Sequence, residues 1–195
     1  MKIGYLSFTD PAIKTAKQAT ITAEIEKVIA SIFSEPSQFV ALPITNDAKS
    51  IRAAIKRLCD DEKCPLVLTL GGNGVSLRDI TPDITLELVD RKLPGFGEIM
   101  RYYSYERFKV SVLSRAEAGV RGTSLIINLP AKPKPLKFCL RLLQEGIAEA
   151  LEQISGTTPG LRGDEVVIPM EKYLPFLKKI RPQVNPNFPE HPTLR

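Results

Sequence analysis

Several features that would point to particular functions are scarce in this sequence of 195 residues. No apolar run approaches the roughly 20 residues of a membrane-spanning helix, so we expect no membrane span. The single histidine, His191, lies near the C-terminal end, and a mechanism that depends on a histidine base is not expected. Cys59, Cys64 and Cys139 lack metal-ligand spacing and are predicted to be reduced core thiols of a cytoplasmic protein. Because Met1–Phe8 enters a strand pattern directly, we expect no signal peptide.

The common nucleotide-binding signatures are also missing. Neither the Gly-Lys-Ser/Thr of a P-loop nor the G-x-G-x-x-G dinucleotide fingerprint occurs. The net charge of +5 is compatible with a nucleic-acid surface or with a pocket for small phosphorylated ligands. The basic residues are spread along the chain and aromatic residues do not interleave with them. We therefore expect no nucleic-acid partner and favour small anionic ligands, with a plain solubilising charge as the alternative.

The most informative segment of the sequence is Leu66–Asp83. An apolar run typical of a buried strand is followed by Gly71-Gly72-Asn73-Gly74, where the glycines permit positive φ angles and a close approach to a ligand. Thr81-Pro82-Asp83 then reads as a helix start with Thr81 as the N-cap. Strand, glycine turn and helix form the layout in which α/β sheets bind anions at their carboxyl edge.

The pair Arg78-Asp79 lies between this turn and the helix. A guanidinium can hold a phosphate, and a carboxylate can hold a magnesium ion or a polar ligand group. The pattern alone gives equal weight to a simpler interpretation, in which a glycine-rich turn carries a solvated ion pair.

The remaining periodicity predicts alternating strands and helices, which is typical of a largely parallel sheet covered by helices on both faces. Asn46 is predicted to cap the second helix, with Asp47 in its first turn. Gly156 is predicted to close the long helix that begins near Leu136. The other predicted elements are a strand at Lys2–Phe8, a helix at Ile21–Phe33, a strand at Phe39–Ile44, a helix after Asp83, a helix after the break at Leu93–Gly97, strands at Val110–Leu113 and Ser124–Leu129, a loop at Ser114–Gly122, and beyond Thr157 an excursion at Val166–Ile168, a helical piece at Tyr173–Ile180 and a loose tail.

Four motifs follow one another along the chain: Gly71–Asp83, Leu93–Arg101, Leu113–Gly122 and Leu125–Pro130. Together they resemble the motifs of the molybdenum-cofactor biosynthesis family of Mog/MoaB type, which includes the molybdopterin adenylyltransferases and the N-terminal domain of gephyrin. The resemblance spans roughly residues 1–154 and is densest from Leu66 to Pro133. It implies a three-layer α/β/α sandwich with a mostly parallel sheet over residues 1–155, followed by an irregular, Pro-rich extension over 156–195, packed on the domain or trailing from it.

The resemblance also implies a function. Adenylyltransferases of this family transfer AMP from Mg-ATP to the terminal phosphate of molybdopterin and release pyrophosphate, which prepares the pterin for metal insertion. We therefore expect ATP as co-substrate, Mg²⁺ as cofactor, a homotrimer, and a partner protein that inserts molybdenum. The chemistry suits these residues, because a phosphate monoester with a second pKa near 6 is already ionised at neutral pH and needs little general-base help.

The site residues follow from the resemblance. Asp79 and Asp47 match the functional, metal-binding acids, and Arg78 and Arg115 are expected to contact phosphate. The residues expected to line the pterin and nucleotide pocket are Gly71, Gly72, Asn73, Gly74, Ser114, Arg115, Pro130, Ala131, Lys132 and Pro133.

Three positions depart from the family pattern and support an alternative hypothesis. Asn73 stands where threonine is usual, and Ala131 replaces a glycine of the proline-glycine turn. Thr9-Asp10-Pro11 replaces serine-aspartate-arginine near the nucleotide end of the pocket. The alternative is a pterin-binding or oligomeric scaffold protein that has lost the nucleotide chemistry.

Overall fold

Parallel strands with nearly continuous apolar sequences form the centre of the fold. The computed structural model describes residues 1–8, 15–156 and 158–162, with the side chains of 15–21 left aside. These residues belong to one unit, Met1–Asp164, with a six-stranded sheet between two helical layers, so the predicted three-layer α/β/α sandwich is confirmed. The elements are β1 Lys2–Phe8, α1 Thr15–Ala30, β2 Gln38–Ile44, α2 Ala48–Lys56, β3 Leu66–Leu70, α3 Thr81–Leu88, β4 Arg91–Lys92, α4 Pro94–Tyr105, β5 Ala118–Arg121, β6 Ser124–Leu129 and α5 Pro133–Ser155.

The strand order is β2-β1-β3-β6-β5-β4. The first four strands in this order pair in parallel, so the carboxyl ends of β1, β3 and β6 meet at one edge of the sheet. Every residue of β3 and of β6 is buried, as expected for central strands covered on both faces. The helices α1, α4 and α5 pack on one face and α2 and α3 on the other. Within the described ranges no helix is long and apolar enough to cross a membrane.

The far edge of the sheet differs from the prediction. Residues Ser114–Gly122 were expected to be a loop, but part of this segment forms β5, which pairs antiparallel with β6 and with the short β4. Gly122, with φ +54°, makes the tight turn between β5 and β6. A Cβ on Gly119 would lie 2.7 Å from the Arg91 carbonyl oxygen. Only glycine therefore fits at this position of β5, although glycine is uncommon within strands.

The predicted strand Val110–Leu113 is wrong. Lys109–Leu113 is a 3₁₀ helix, and Val110 and Val112 are 75% and 64% exposed. The position beside β6 is already occupied by β5, so this short β-branched run has no strand to pair with.

Two helix starts are shifted by one residue. The N-cap of α2 is Asp47 rather than Asn46, because the Asp47 carboxylate accepts the Ser50 amide at 2.8 Å while the Asn46 side chain bonds elsewhere. Both residue types cap well, so the sequence does not separate them. In α3 the N-cap is Ile80 and Thr81 is the first helical residue, with its side chain fully buried.

The ends of the described chain agree with the sequence in part. The long helix α5 ends at Gly156, which adopts φ +64°, so its predicted C-cap is confirmed. The predictions for Val166–Ile168, for Tyr173–Ile180 and for the tail lie outside the described residues.

The three cysteines are buried free thiols, and burial raises the pKa of Cys59 to about 12 and that of Cys139 to about 11.

A buried polar network stabilises the carboxyl ends of the central strands. Asn128 is fully buried in β6, opposite Thr69 of β3. Its amide nitrogen donates to the hydroxyls of Thr69 at 2.9 Å and Thr85 at 2.8 Å, and its oxygen accepts the Glu117 amide at 3.2 Å. One side chain therefore connects β3, β6, α3 and the start of β5, with its amide groups satisfied.

The Asn128 network predicts a stability effect. Asn128→Leu would leave two buried hydroxyls and one amide without their partner, so we expect a loss of roughly 2–4 kcal/mol in the free energy of unfolding, measured by urea denaturation. Thr85→Val, which removes only one of these bonds and keeps its shape, should cost about 1 kcal/mol. Equal stability of Asn128→Leu and the native chain would contradict the network.

The Asp47 cap predicts a pH effect. Hydrogen bonds from the Thr45 hydroxyl and from Ser50 lower the pKa of Asp47 from 3.8 to about 2. The carboxylate therefore contributes stability that is complete above its unfolded pKa and is lost as the pH falls from about 4 toward 2. We expect the difference in melting temperature between the native chain and Asp47→Ala to be largest at pH 7 and to shrink below about pH 4. Glu24→Ala, at an exposed position of α1, is the control, and a difference that is independent of pH would contradict the assignment.

Candidate functional site

The glycine turn after β3 takes the shape that the sequence predicts. Gly71 and Gly72 have φ angles of +101° and +68°. A Cβ on Gly72 would lie 2.3 Å from the Thr81 hydroxyl oxygen, and one on Gly74 would lie 2.8 Å from a carboxylate oxygen of Asp79. The glycines are therefore required because the start of α3 and the acidic side chain fold back against the turn.

The turn is also attached to the end of β6. The Gly71 amide and the Asn73 side-chain amide both donate to the Leu129 carbonyl, at 2.9 and 2.8 Å. Because a carbonyl only accepts, this contact fixes the orientation of the Asn73 amide. Asn73 does not adopt positive φ, so it serves this turn through its side chain and not through the left-handed backbone conformation that asparagine tolerates.

Two buried polar atoms at this turn and at the start of α3 have no hydrogen-bond partner in the part of the chain that the structure describes. They are the Asn73 side-chain oxygen and the Thr81 hydroxyl oxygen, on residues that are 9% and 0% exposed. Buried polar atoms without partners are uncommon and often lie at functional sites. The sequence indicated neither atom, because no periodic pattern marks a buried polar side chain in a turn or at the first residue of a helix.

Asp79 and Arg78 lie on the outer part of the loop. One Asp79 carboxylate oxygen, Oδ2, accepts the Ser76 amide at 3.0 Å, and Oδ1 has no hydrogen-bond partner among the described residues. Arg78 is exposed, and within the described part of the chain its guanidinium has neither a hydrogen bond nor an ion pair. The pair is therefore not the mutual ion pair of the simpler interpretation, and both charged groups are available to a ligand.

Asp47 lies on a loop that touches this segment. The Asn46 side-chain amide donates to the Arg78 carbonyl at 3.1 Å and connects the two loops. The exposed Asp47 carboxylate accepts bonds from the Thr45 hydroxyl and from the amide and hydroxyl of Ser50, which keeps its pKa near 2 and the group ionised at neutral pH. The contact made by Asn46 was not expected from the sequence, which had assigned this residue to the helix cap.

Arg115 is engaged within the protein. Its guanidinium donates to the Gly74 carbonyl at 2.9 Å, to both carboxylate oxygens of Asp83 at 2.9 Å, and to the Asp79 carbonyl. These bonds to Asp83 raise the pKa of Arg115 further. Ser114 accepts the Ala116 amide at 3.3 Å through its hydroxyl. Asp83 is connected to the site by its bonds to Arg115. The sequence had indicated only its position in the first turn of α3.

The segment after β6 completes this edge of the sheet. Pro130–Pro133 leads into α5, with Lys132 as an N-cap whose side chain makes no capping bond. The Ala131 side chain lies beside the glycine turn, 3.3 Å from the position of a Cβ on Gly71. Ala131 has no positive φ angle, so the replacement of glycine imposes no backbone strain here. Ala131 and Lys132 are both exposed.

The described residues contain no group of three or more histidine, cysteine, aspartate or glutamate side chains that could hold a metal ion by themselves. Magnesium usually needs fewer protein ligands than this, because one or two carboxylates act together with water and substrate phosphates. Asp79 fits that requirement through its open oxygen. Asp47, with three hydrogen bonds already on its carboxylate, has less free capacity.

Comparisons with known proteins show the family to which the chain belongs. Residues 20–152 match the family described as the probable molybdopterin binding domain. The molybdopterin adenylyltransferase of Helicobacter pylori is 38% identical over 154 residues, which are 79% of this chain and 88% of that protein. The molybdopterin adenylyltransferase of Escherichia coli is 36% identical over 150 residues, 77% of this chain and 75% of that protein. The crystal structure of the molybdopterin biosynthesis enzyme MoaB from Thermus thermophilus has a TM-score of 0.68 and 33% identity, and the match covers 80% of this chain and 97% of that one. The chain belongs to the molybdopterin-binding domain family.

Proposed function

We propose that the chain is a molybdopterin adenylyltransferase of molybdenum cofactor biosynthesis, which transfers AMP from ATP to the terminal phosphate of molybdopterin. Family membership and relatives that carry this name support the proposal. The observation that carries it is the segment Gly71–Asp83, where a glycine turn attached to β6 leads to Asp79 and Arg78. Among the described residues, one Asp79 carboxylate oxygen and the Arg78 guanidinium have no partner.

The proposed reaction is an in-line displacement at phosphorus. A phosphate oxygen of molybdopterin attacks the α-phosphorus of ATP, a new P–O bond forms, and the bond to pyrophosphate breaks as pyrophosphate leaves. At neutral pH the attacking phosphate is already ionised, so no strong base is needed. The barrier comes from bringing two anions together, and positioning and charge neutralisation are the main contributions of a protein.

The residues at the carboxyl edge can supply these contributions. Arg78 and Lys132 are exposed cations on the two segments that border the glycine turn, and we assign them to phosphate groups. The glycine turn, with Asn73, Ser114 and the segment Pro130–Pro133, forms the proposed wall of the pterin and nucleotide pocket. Mg²⁺, when bound, would neutralise phosphate charge, and Asp79 with Asp47 would hold it.

The departures from the family pattern fit this proposal at the two described positions. Asn73 replaces threonine and attaches the turn to β6 through its amide, so the position keeps a role in holding the turn. Ala131 is accommodated without positive φ. The third departure, at Thr9-Asp10-Pro11, lies outside the described residues.

We also propose that the chain assembles as a homotrimer in the cytoplasm and passes its product to a molybdenum-insertion protein. An exposed apolar surface supports self-association. We call it the α4 surface, and it comprises Ile99, Tyr102, Tyr105, Val110, Val112 and Leu113, which are 43–75% exposed. Contiguous apolar patches of this kind usually mark contacts with another protein.

Adenylyl transfer tests the proposed function. Purified protein incubated with molybdopterin, ATP and Mg²⁺ should yield adenylylated pterin and pyrophosphate. Asp79→Ala should lower kcat by at least about 100-fold, because the carboxylate proposed to hold the charge-neutralising Mg²⁺ is lost. Asp61→Ala, at an exposed acid beyond α2, is the matched control and should keep native activity.

Two results would oppose this proposal. Tight binding of molybdopterin without any transfer by the native chain would favour the alternative, a pterin-binding or scaffold protein. Full activity of the Asp79→Ala variant would contradict the assigned site, even though the native chain would then be an adenylyltransferase.

The α4 surface predicts a change of assembly. Light scattering on the native chain should give three times the chain mass. Val110→Lys places a charge on a side chain that is 75% exposed, so the fold should be kept while self-association is weakened to monomers. Val75→Lys, at a 65% exposed position outside the α4 surface, should stay trimeric. A native monomer, or a trimeric Val110→Lys variant, would contradict the assignment.

A further inference from the structure

We propose that Arg115 is a positioning residue, which holds Asp79 in place through an ion pair with Asp83 and does not contact the substrate phosphates. This inference rests on the proposed function, and it separates the roles of the two arginines that the sequence assigned to phosphate contacts. Arg78 keeps that role, and Asp83 becomes part of the site.

The hydrogen bonds of Arg115 carry the argument. A guanidinium has five N–H donors. Four hydrogen bonds leave this one: from Nε to the Gly74 carbonyl, from Nη1 and Nη2 to the two oxygens of Asp83, and from Nη2 to the Asp79 carbonyl. A single donor remains for any other group, so a bidentate grip on a phosphate would require the loop bonds to break.

The backbone of Arg115 strengthens the same connection. Its backbone amide donates to the carbonyl of Asn73, within the glycine turn, at 2.7 Å. One residue therefore touches the turn, the loop before α3 and the first turn of α3. Between Leu70 and Thr81 the chain forms no helix or strand, so its shape depends on contacts of this kind.

Asp79 is the residue whose position these contacts determine. Arg115 holds its carbonyl, and the Ser76 amide holds its Oδ2 at 3.0 Å. Together they hold the Asp79 backbone and side chain, and Oδ1 keeps no hydrogen-bond partner among the described residues. A displacement of even 1 Å in a catalytic group can cost about 100-fold in rate.

Asp83 gives a clean way to separate positioning from substrate contact. Its carboxylate is exposed, and Arg115 is its only hydrogen-bonded side-chain partner among the described residues. Asp83→Asn leaves the charge of Arg115 intact and frees at least one of its donors, because only one of the two acceptor oxygens remains. If Arg115 contacted phosphate, this change would not weaken the contact.

The test compares Arg115→Lys, Asp83→Asn, their double variant and Arg78→Lys in steady-state adenylyl transfer. For positioning, Arg115→Lys and Asp83→Asn should each lower kcat at least about tenfold and leave KM for molybdopterin within about twofold. The double variant should be no worse than the poorer single one, because both act through one contact. Arg78→Lys, the matched substitution at the exposed arginine, should raise KM. A raised KM for Arg115→Lys together with a native kcat for Asp83→Asn would overturn the proposal.

Hydrogen exchange gives a readout that does not need activity. Arg115→Lys and Asp83→Asn should speed exchange at the Ser76 amide, which is bonded to Asp79, and leave the amides of β6 as protected as in the native chain. Unchanged exchange at Ser76 in both variants would overturn the proposal even if the native chain transfers no AMP. Faster exchange in a chain without transfer would uphold the positioning contact and reject only the proposed function.

Discussion

The parallel pairing of β3 with β6 is the contact on which the candidate site depends. Its register places Leu70 opposite Leu129, and the carbonyl of Leu129 then accepts both the Gly71 amide and the Asn73 side chain. One residue earlier, Asn128 connects the same strands to α3 through buried hydroxyls. The glycine turn is therefore anchored on its inner side by the sheet, and a shift of one residue in this register would reverse the faces of the β6 side chains and break these contacts.

Hydrogen bonds and one ion pair hold the outer side of the loop. Asn46 bonds the Arg78 carbonyl, and Arg115 joins the Gly74 and Asp79 carbonyls to the carboxylate of Asp83. The donors that could neutralise a ligand are thus partly used to shape the loop, and Arg78 remains free among the described residues. Such a division suits a site for two anions, since a cation held by bonds to the protein stays in place while one without such bonds can follow the ligand.

The sequence predicts most of the sheet because β1, β3 and β6 are apolar runs between clear helix patterns. It also predicts the glycine turn, which directly follows a buried strand and has the positive φ angles that glycine permits, whereas the role of Asp79 stays a prediction. It fails where local patterns compete: Val110–Leu113 has strand propensity but no strand to pair with, and β5 contains a glycine that close packing requires. The bonds of Arg115 and the buried oxygen of Asn73 join segments far apart in the chain, and no local periodicity encodes them.

The central claim is that both substrates bind at the edge formed by the glycine turn, the Arg78-Asp79 loop and the start of α5. The most direct measurement is a crystal structure of the chain with molybdopterin, a non-hydrolysable ATP analogue and Mg²⁺. The account predicts phosphate groups within hydrogen-bonding distance of Arg78, with the Asp79 carboxylate facing them and the Arg115–Asp83 pair intact. Ligands bound elsewhere on the protein, with the Gly71–Asp83 segment untouched, would contradict it.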